Sequence, residues 1–110
     1  MNLAKRQCTP CRADTPRLSG DQLALLLPEL GPDWDAGDGR LRKTFRFPDF
    51  ASALAFVNRV GEVAEREQHH PDILLAWGRV AIELWTHAIG GLSENDFILA
   101  AKIDGLNNGA

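Results

Sequence analysis

The three histidines of this chain, His69, His70 and His87, all lie in one stretch that runs from Glu65 to Asp96. Histidine ordinarily has a pKa of about 6.5, so it can give or accept a proton near neutral pH. Two or three imidazoles at one site could protonate a leaving group and remove a proton from another atom of the same ligand. The elimination of water requires this pair of transfers, so proton transfer is the chemistry we expect here.

Other kinds of catalytic chemistry lack a sequence pattern in this chain. There is no GxSxG nucleophile motif and no glycine-rich phosphate loop, and the two cysteines are far in sequence from the histidines. The alternative to a functional role is that two histidines are surface residues at a strand end and the third is a core residue. Composition alone leaves these two interpretations about equal.

The histidines flank a predicted hairpin. The segments DILLAW and VAIELWTH are rich in β-branched and aromatic residues, which favours strands. Gly78-Arg79 between them fits a two-residue loop with glycine at its first central position. This loop would place Trp77 opposite Val80. The other predicted pairs are Leu75 with Ile82, Ile73 with Leu84, Ala76 with Ala81, and Leu74 with Glu83.

Continuing this register places His70 opposite His87, with Cβ atoms about 4.5–5.5 Å apart. Both imidazoles would then lie on the sheet face that carries Glu83 and Trp85, away from the apolar face. His69 would occupy the adjacent backbone position, in an extended conformation because residues close before a proline avoid the helical region. The hairpin therefore predicts one small site to which all three histidines contribute.

The remaining elements are predicted from caps and periodicity. Ser19 and Gln22 have capping-box spacing before an apolar run, which predicts a helix that ends by Gly31-Pro32. Asp38-Gly39 predicts the turn of a first hairpin. Asp49 can cap a long second helix. The expected buried stripe of that helix consists of Phe50, Leu54, Val57, Val60 or Gly61, and Ala64.

Ser93 and Asp96 repeat the capping-box spacing and predict a C-terminal helix through Phe97, Ala100, Ala101 and Ile103. The order is a helix followed by two strand-strand-helix units. We expect an α+β fold: a four-stranded antiparallel sheet with helices packed on one face. The polar, proline-broken residues 1–17 predict a flexible N-terminal arm, and residues 18–107 a single domain.

Composition excludes several classes of function. The chain has 110 residues, a formal charge of −3 and a pI near 5.5, which argue against nucleic acid or an anionic membrane as the main partner. No apolar run is long enough for a membrane span, and no signal peptide is evident, so we expect a cytoplasmic protein. Cys8 and Cys11 form a lone CxxC. A structural zinc needs four ligands, so we favour a tail with two thiols over a metal or redox site.

The spacing within the histidine stretch is more specific than any single residue. Glu65 is followed after three residues by His69-His70-Pro71, after five more by Trp77, after nine by His87, and after eight by Asp96. This pattern resembles the signature of the pterin-4a-carbinolamine dehydratases. The flanking segments FRFPDFASALAFVNRV and THAIGGLSENDFILAAKI are similar to that family as well, and the resemblance covers about residues 8–106.

The resemblance implies a lyase that dehydrates 4a-hydroxytetrahydrobiopterin, the product of aromatic amino acid hydroxylases, to quinonoid dihydropterin. It implies no metal and no organic cofactor. It also implies a functional link to a hydroxylase. Antiparallel sheets with exposed edges tend to be paired or covered, so we further expect a homodimer or homotetramer. By position, His69 and His87 would be the principal proton-transfer residues, and His70 would mainly orient the substrate, with some share in proton transfer.

Three further positions follow from the same resemblance. Glu65, Asp96 and Thr86 would bind or orient the substrate, although Glu65 could equally be a solvated helix residue. For Asp96 we favour structural support or orientation of an imidazole over direct catalysis, and the alternative is that it is the capping partner of Ser93. Ile73 replaces a tryptophan of vertebrate members, and Ala88-Ile89 replaces a more polar pair, so the pocket could differ in shape.

Two other functions stay open. One is a non-catalytic dimerisation or binding module, or a molybdopterin-related role, on the same fold. The other is a metal site built from histidines, which is disfavoured because the adjacent His69 and His70 would point to opposite sides of an extended chain.

Overall fold

A computed structural model describes residues 3–10 and 14–108 of the chain, with Asn108 described by its backbone alone. The protein forms a four-stranded antiparallel sheet and three α-helices, as the sequence predicts. The helices are α1 (Gly20–Leu26), α2 (Phe50–Glu67) and α3 (Glu94–Asn108), and the strands are β1 (Asp35–Gly37), β2 (Arg40–Arg46), β3 (Asp72–Ala76) and β4 (Arg79–Leu84). No α-helix in the described ranges is both long enough and apolar enough to cross a membrane.

The sheet order is β1-β2-β4-β3, so the two hairpins join through β2 and β4, and β3 lies at an edge. Antiparallel pairing sends alternate side chains to opposite faces. The face toward the helices is apolar and joins α2 and α3 in one core. The largest fully buried side chains of this core are Leu41, Phe56, Ile82, Leu84, Phe97, Leu99 and Ile103.

The predicted caps of the first two helices and the first hairpin are confirmed. The Ser19 hydroxyl accepts a hydrogen bond from the Gln22 amide, and the Gln22 side chain accepts one from the Ser19 amide, so α1 begins with a complete capping box. The Asp49 carboxylate accepts a hydrogen bond from the Ser52 amide at the start of α2. The β1–β2 turn has Asp38-Gly39 at its centre, with φ angles of 55° and 72°, which match a hairpin turn that twists with its strands.

The predicted stripe of α2 is wrong at its first two positions and confirmed from Val57 onward, where Val57 packs against the core. Phe50 and Leu54 are 44% and 41% exposed, whereas Val60 and Ala64 are buried as expected. The buried residues of α2 are Ala53, Phe56, Val60, Val63 and Ala64. Two neighbouring rows of this helix are apolar, and both repeat at the helical period, so periodicity alone does not select between them.

The predicted register of the second hairpin is also wrong. The loop is Trp77-Gly78, one residue earlier than expected, so Ile73 pairs with Ile82 and Ala76 with Arg79. The partner of each β3 residue moves by two positions, which leaves every side chain on its predicted face. The pairing of His70 with His87 does not occur, because β4 ends at Leu84 and His87 begins a short 3-10 turn, His87–Ile89.

A close backbone contact requires glycine at position 78. The Gly78 carbonyl accepts a hydrogen bond of 2.9 Å from the Phe47 amide. A Cβ atom on Gly78 would lie 2.8 Å from the Phe47 carbonyl oxygen, closer than the two atoms can approach. This contact ties the hairpin loop to the residue that follows β2.

We expect Gly78→Ala to lower the free energy of unfolding by about 1–3 kcal/mol, because backbone atoms must shift to accept the methyl group. Gly61→Ala is the matched control. Gly61 lies within α2, where a Cβ atom would extend into open space, and we expect a gain of about 0.5–1 kcal/mol from helix propensity. Urea unfolding of both variants measures the difference, and a neutral Gly78→Ala would contradict the close contact.

A charged cluster closes one end of the core. The Asp104 carboxylate on α3 accepts hydrogen bonds from the Gly31 amide (2.8 Å), the Trp34 indole (2.9 Å) and the Lys43 ammonium (2.9 Å). The side chains of Lys43 and Asp104 are only 10% and 11% exposed. Lys43 points to the core face of β2, and this ion pair satisfies its charge there.

Several residues before α1 contact the domain. Leu3 is buried in the core, and the Cys8 amide donates a hydrogen bond of 2.9 Å to Glu67 at the end of α2. The Arg17 side chain donates a hydrogen bond of 2.6 Å to the Ile89 carbonyl. The flexibility expected of residues 1–17 stays a prediction, and Cys11 lies outside the described residues.

Candidate functional site

Asp96 is the buried centre of the candidate site. It lies in the first turn of α3, is 0% exposed, and its two carboxylate oxygens accept three hydrogen bonds. Oδ2 receives the Thr86 hydroxyl (2.8 Å) and the Ser93 amide (2.9 Å), and Oδ1 lies 2.6 Å from His69 Nε2. Asp96 therefore accepts a hydrogen bond from the Ser93 amide at the start of α3 and also holds the His69 imidazole. The sequence presented these two roles as alternatives.

Thr86 is fixed between β4 and α3. Its amide donates a hydrogen bond of 2.8 Å to the Gly91 carbonyl, forming an isolated bridge that closes the loop carrying His87. Its hydroxyl contacts both Ser93 and Asp96, and the residue is buried. This position links the histidine loop to the buried carboxylate.

The end of α2 directs His69 toward Asp96. Gln68 adopts a left-handed conformation (φ 54°, ψ 37°), which terminates the helix, and the His69 amide still donates to the Ala64 carbonyl. An ionised carboxylate only accepts hydrogen bonds, so we infer that His69 Nε2 carries the hydrogen. The other ring nitrogen, Nδ1, is then the one free to exchange a proton, as in other carboxylate–imidazole pairs.

His70 lies at the rim of the site. Its Nε2 is 2.5 Å from a carboxylate oxygen of Glu65, one turn back on α2, and both side chains are largely exposed. Solvent screens such a pair, so it contributes little to stability. The contact fixes the imidazole on one side and leaves Nδ1 available.

His87 is held by ring contacts. Its imidazole stacks on the Trp85 indole with centroids 4.0 Å apart and an interplanar angle of 30°. The Arg40 guanidinium also lies over the Trp85 ring, 3.7 Å from its centroid. Within the described part of the chain, the His87 imidazole makes no hydrogen bond.

All three histidines line one pocket of about 310 Å³. This volume is at the lower end of the range for small-molecule sites. The remaining lining residues are Thr9, Gln68, Trp85, Thr86, Ala88 and Asn95. The site thus combines three imidazoles with aromatic and neutral polar walls.

The segment before α1 supplies one wall of this pocket. The Asn95 side chain accepts a hydrogen bond of 3.0 Å from the Thr9 amide and donates one of 2.5 Å to the Thr9 carbonyl. Asn95 is buried and precedes Asp96 in α3. In a β-sheet, the amide and carbonyl of a residue such as Thr9 would bond to a neighbouring strand. Here the Asn95 side chain bonds to both groups and so fixes the position of Thr9.

The Cys8 thiol is a poor candidate for a catalytic group. Burial raises the pKa of its thiol to about 12, with a further contribution from the nearby Glu67 carboxylate. A thiol with so high a pKa is a poor nucleophile near neutral pH. Within residues 3–10 and 14–108, no group of three or more histidine, cysteine, aspartate or glutamate side chains is placed to hold a metal ion.

The structure brings together most of the residues that the sequence singled out. His69, His70, His87 and Thr86 line the pocket, Asp96 supports it from the core, and Glu65 contacts His70 at its rim. Sequence reasoning missed Thr9, Asn95 and Arg40, because they reach the site through contacts between distant segments. Arg40 would have been found only with the β2–β4 register, in which Leu41 pairs with Leu84 and Arg40 therefore neighbours Trp85.

Comparison with known sequences identifies the family. Residues 16–106 match the family model described as pterin 4 alpha carbinolamine dehydratase. A relative from Chlorobium limicola, provisionally named as such a dehydratase, is 53% identical over 106 residues, covering 93% of each chain. Another from Rubrobacter xylanophilus, with the same provisional name, is 50% identical and covers 94% of this chain and 97% of its own.

Solved structures share the fold. A crystal structure from Brucella melitensis, described as a transcriptional coactivator/pterin dehydratase, superposes with a TM-score of 0.78 at 30% identity and covers 83% of this chain and 98% of its own. A pterin dehydratase-like protein identified as a RuBisCO assembly factor in the alpha-carboxysome has a TM-score of 0.59 at 28% identity, covering 67% and 88%. The family model and the relatives span nearly the whole domain, so this chain belongs to the pterin 4 alpha carbinolamine dehydratase family.

Proposed function

We propose that this protein is a lyase that dehydrates 4a-hydroxytetrahydrobiopterin to quinonoid dihydropterin and water, in the recycling of the pterin cofactor of aromatic amino acid hydroxylases. The observation that carries the proposal is one pocket lined by His69, His70 and His87 in a chain of this family. The substrate is a carbinolamine, so loss of water forms a C=N bond and involves no oxidation or reduction.

The reaction needs two proton transfers. An imidazolium donates a proton to the departing hydroxyl, and a neutral imidazole takes the proton from the ring nitrogen beside the carbinol carbon. The nitrogen lone pair then forms the double bond as the carbon–oxygen bond breaks. We assign these transfers to His69 and His87, because His69 has a buried carboxylate partner and His87 reaches the pocket from another segment.

The other residues have supporting roles in this proposal. Asp96 and Thr86 hold the His69 imidazole at a fixed angle, which is what a partner behind a catalytic histidine provides. His70, paired with Glu65 at the rim, orients the substrate and shares in proton transfer. No metal or organic cofactor is needed for these steps.

The test is the rate of dehydration of 4a-carbinolamine generated in situ, because this reaction also proceeds without enzyme. We expect wild-type protein to accelerate it, with or without a chelator, and the triple variant His69→Gln/His70→Gln/His87→Gln to return the rate to that of the buffer. A wild-type rate equal to the buffer rate would refute the dehydratase assignment.

A non-catalytic role is the second candidate, since a protein with this fold is described as a RuBisCO assembly factor. In that case the protein would bind a partner and leave the carbinolamine rate unchanged. The same assay separates the two functions.

We also propose that the protein is cytoplasmic and that it associates with further copies of itself. Strand β3 is an edge of the sheet, and Leu74 and Trp77 beside that edge are 53% and 69% exposed. Natural proteins pair or cover such edges. We expect a homodimer or homotetramer, and light scattering after size-exclusion chromatography would reveal a monomer if this is wrong.

A further inference from the structure

The position of the His87 imidazole depends on very few contacts. The residue lies in the short turn that follows β4, its side chain is exposed, and its ring contact is with Trp85. A catalytic imidazole must be held close to one geometry, since a displacement of about 1 Å can cost a hundredfold in rate. The features that fix Trp85 therefore also fix His87.

Trp85 lies between two flat groups. The Arg40 guanidinium carbon is 3.7 Å from the indole centroid, and the His87 ring centroid is 4.0 Å from it. Two groups this close to one ring would overlap if they shared a face, so they occupy opposite faces. The result is a continuous stack of guanidinium, indole and imidazole that ends at the pocket.

The Arg40 end of the stack is held by ion pairs on the sheet face that points away from the helices. Arg40 Nη1 donates a hydrogen bond of 2.6 Å to Glu83 Oε1, and Arg42 Nε donates one of 2.7 Å to Glu83 Oε2. The hydrogen bond from Arg42, together with that from Arg40, holds the pKa of the Glu83 carboxyl below its usual range. The anchor is therefore charged at neutral pH and holds the guanidinium over the indole.

We propose that Arg40 and Trp85 are positioning residues for His87, through a guanidinium–indole–imidazole stack anchored by Glu83. This inference rests on the proposed dehydratase function, and it assigns a catalytic consequence to an arginine that is not among the residues lining the pocket. Arg40 acts only through Trp85, so its replacement displaces the His87 ring and leaves the pocket wall chemically unchanged.

Arg40→Met and Arg42→Met form a matched pair for the test. Each removes one positive charge and one hydrogen bond to Glu83, and only Arg40 lies on Trp85. We expect Arg40→Met to lower kcat by about ten- to a hundredfold with little change in KM. Arg42→Met should change kcat by less than about twofold, because it breaks a partly exposed ion pair and a 3.4 Å hydrogen bond to the Gly37 carbonyl. It leaves the Arg40–Glu83 hydrogen bond in place.

A second measurement, by NMR, reports the position of the His87 ring directly. The indole ring current shifts the His87 ring protons upfield, so their NMR shifts in Arg40→Met should move toward free histidine values and those in Arg42→Met should not. Equal kcat values in the two variants, or unchanged His87 shifts in Arg40→Met, would overturn the inference. Because NMR does not depend on turnover, an inactive wild type would refute the proposed function and leave the stack to be judged from the ring shifts.

Discussion

Replacing His69 or His87 with glutamine should lower kcat/KM for carbinolamine dehydration by about 10²–10⁴-fold in each variant, the usual contribution of a general acid or base. Glutamine is close to histidine in length, and its amide can donate to the Asp96 carboxylate that His69 contacts at 2.6 Å. It cannot exchange a proton near neutral pH. The loss would therefore report proton transfer rather than the loss of a buried hydrogen bond.

His70→Gln is the matched control for that experiment. The His70 imidazole pairs with Glu65 at the exposed rim, so we expect a loss of about tenfold or less, equivalent to one ordinary hydrogen bond. Thermal unfolding of all three variants checks that each is folded. Unchanged rates in both His69→Gln and His87→Gln would rule out the assignment of these residues as the proton-transfer pair.

Replacing Asp104 with alanine should lower the free energy of unfolding by about 3–5 kcal/mol, the usual cost of leaving one member of a buried ion pair without its partner. Lys43 would keep its charge in a site where its side chain is only 10% exposed. The Trp34 indole and the Gly31 amide would lose their acceptor at the same time. Urea unfolding at 25 °C measures the change.

A double variant separates the charge from the packing. Lys43→Met/Asp104→Leu removes both charges and keeps the apolar volume, and such replacements of a buried pair are often neutral. We therefore expect the double variant to be more stable than Asp104→Ala. A cost of less than about 1 kcal/mol for Asp104→Ala would show that the cluster is not desolvated in solution. Neither residue lines the histidine pocket, so folded protein should keep its catalytic rate.

The local elements were predictable because their causes lie within a few residues. The caps of α1 and α2 and the Asp38-Gly39 turn are short-range hydrogen-bonding and dihedral preferences, and each is present in the structure. The alternation of the strands was predictable as well, since the buried face of β4 follows directly from its period of two. These features gave the α+β order and the four strands.

The register of the second hairpin could not be obtained in the same way. Loops at Gly78-Arg79 and Trp77-Gly78 both have two residues and keep every side chain on its face. The loop at Trp77-Gly78 also contacts the Phe47 backbone, 31 residues earlier in the chain, and such a contact between distant segments is not evident in the sequence. The buried row at the start of α2 likewise depends on which of two apolar rows meets the sheet.

The amino-acid sequence by itself determined the fold class, the family and the identity of the three histidines, because short-range preferences and a spaced signature are properties of the linear chain. Tertiary structure alone decided how those histidines are held: His69 by a buried Asp96, His70 by Glu65, and His87 by a ring stack that begins at Arg40. The reason is that side-chain orientation depends on contacts between segments whose pairing is fixed only when the whole core packs.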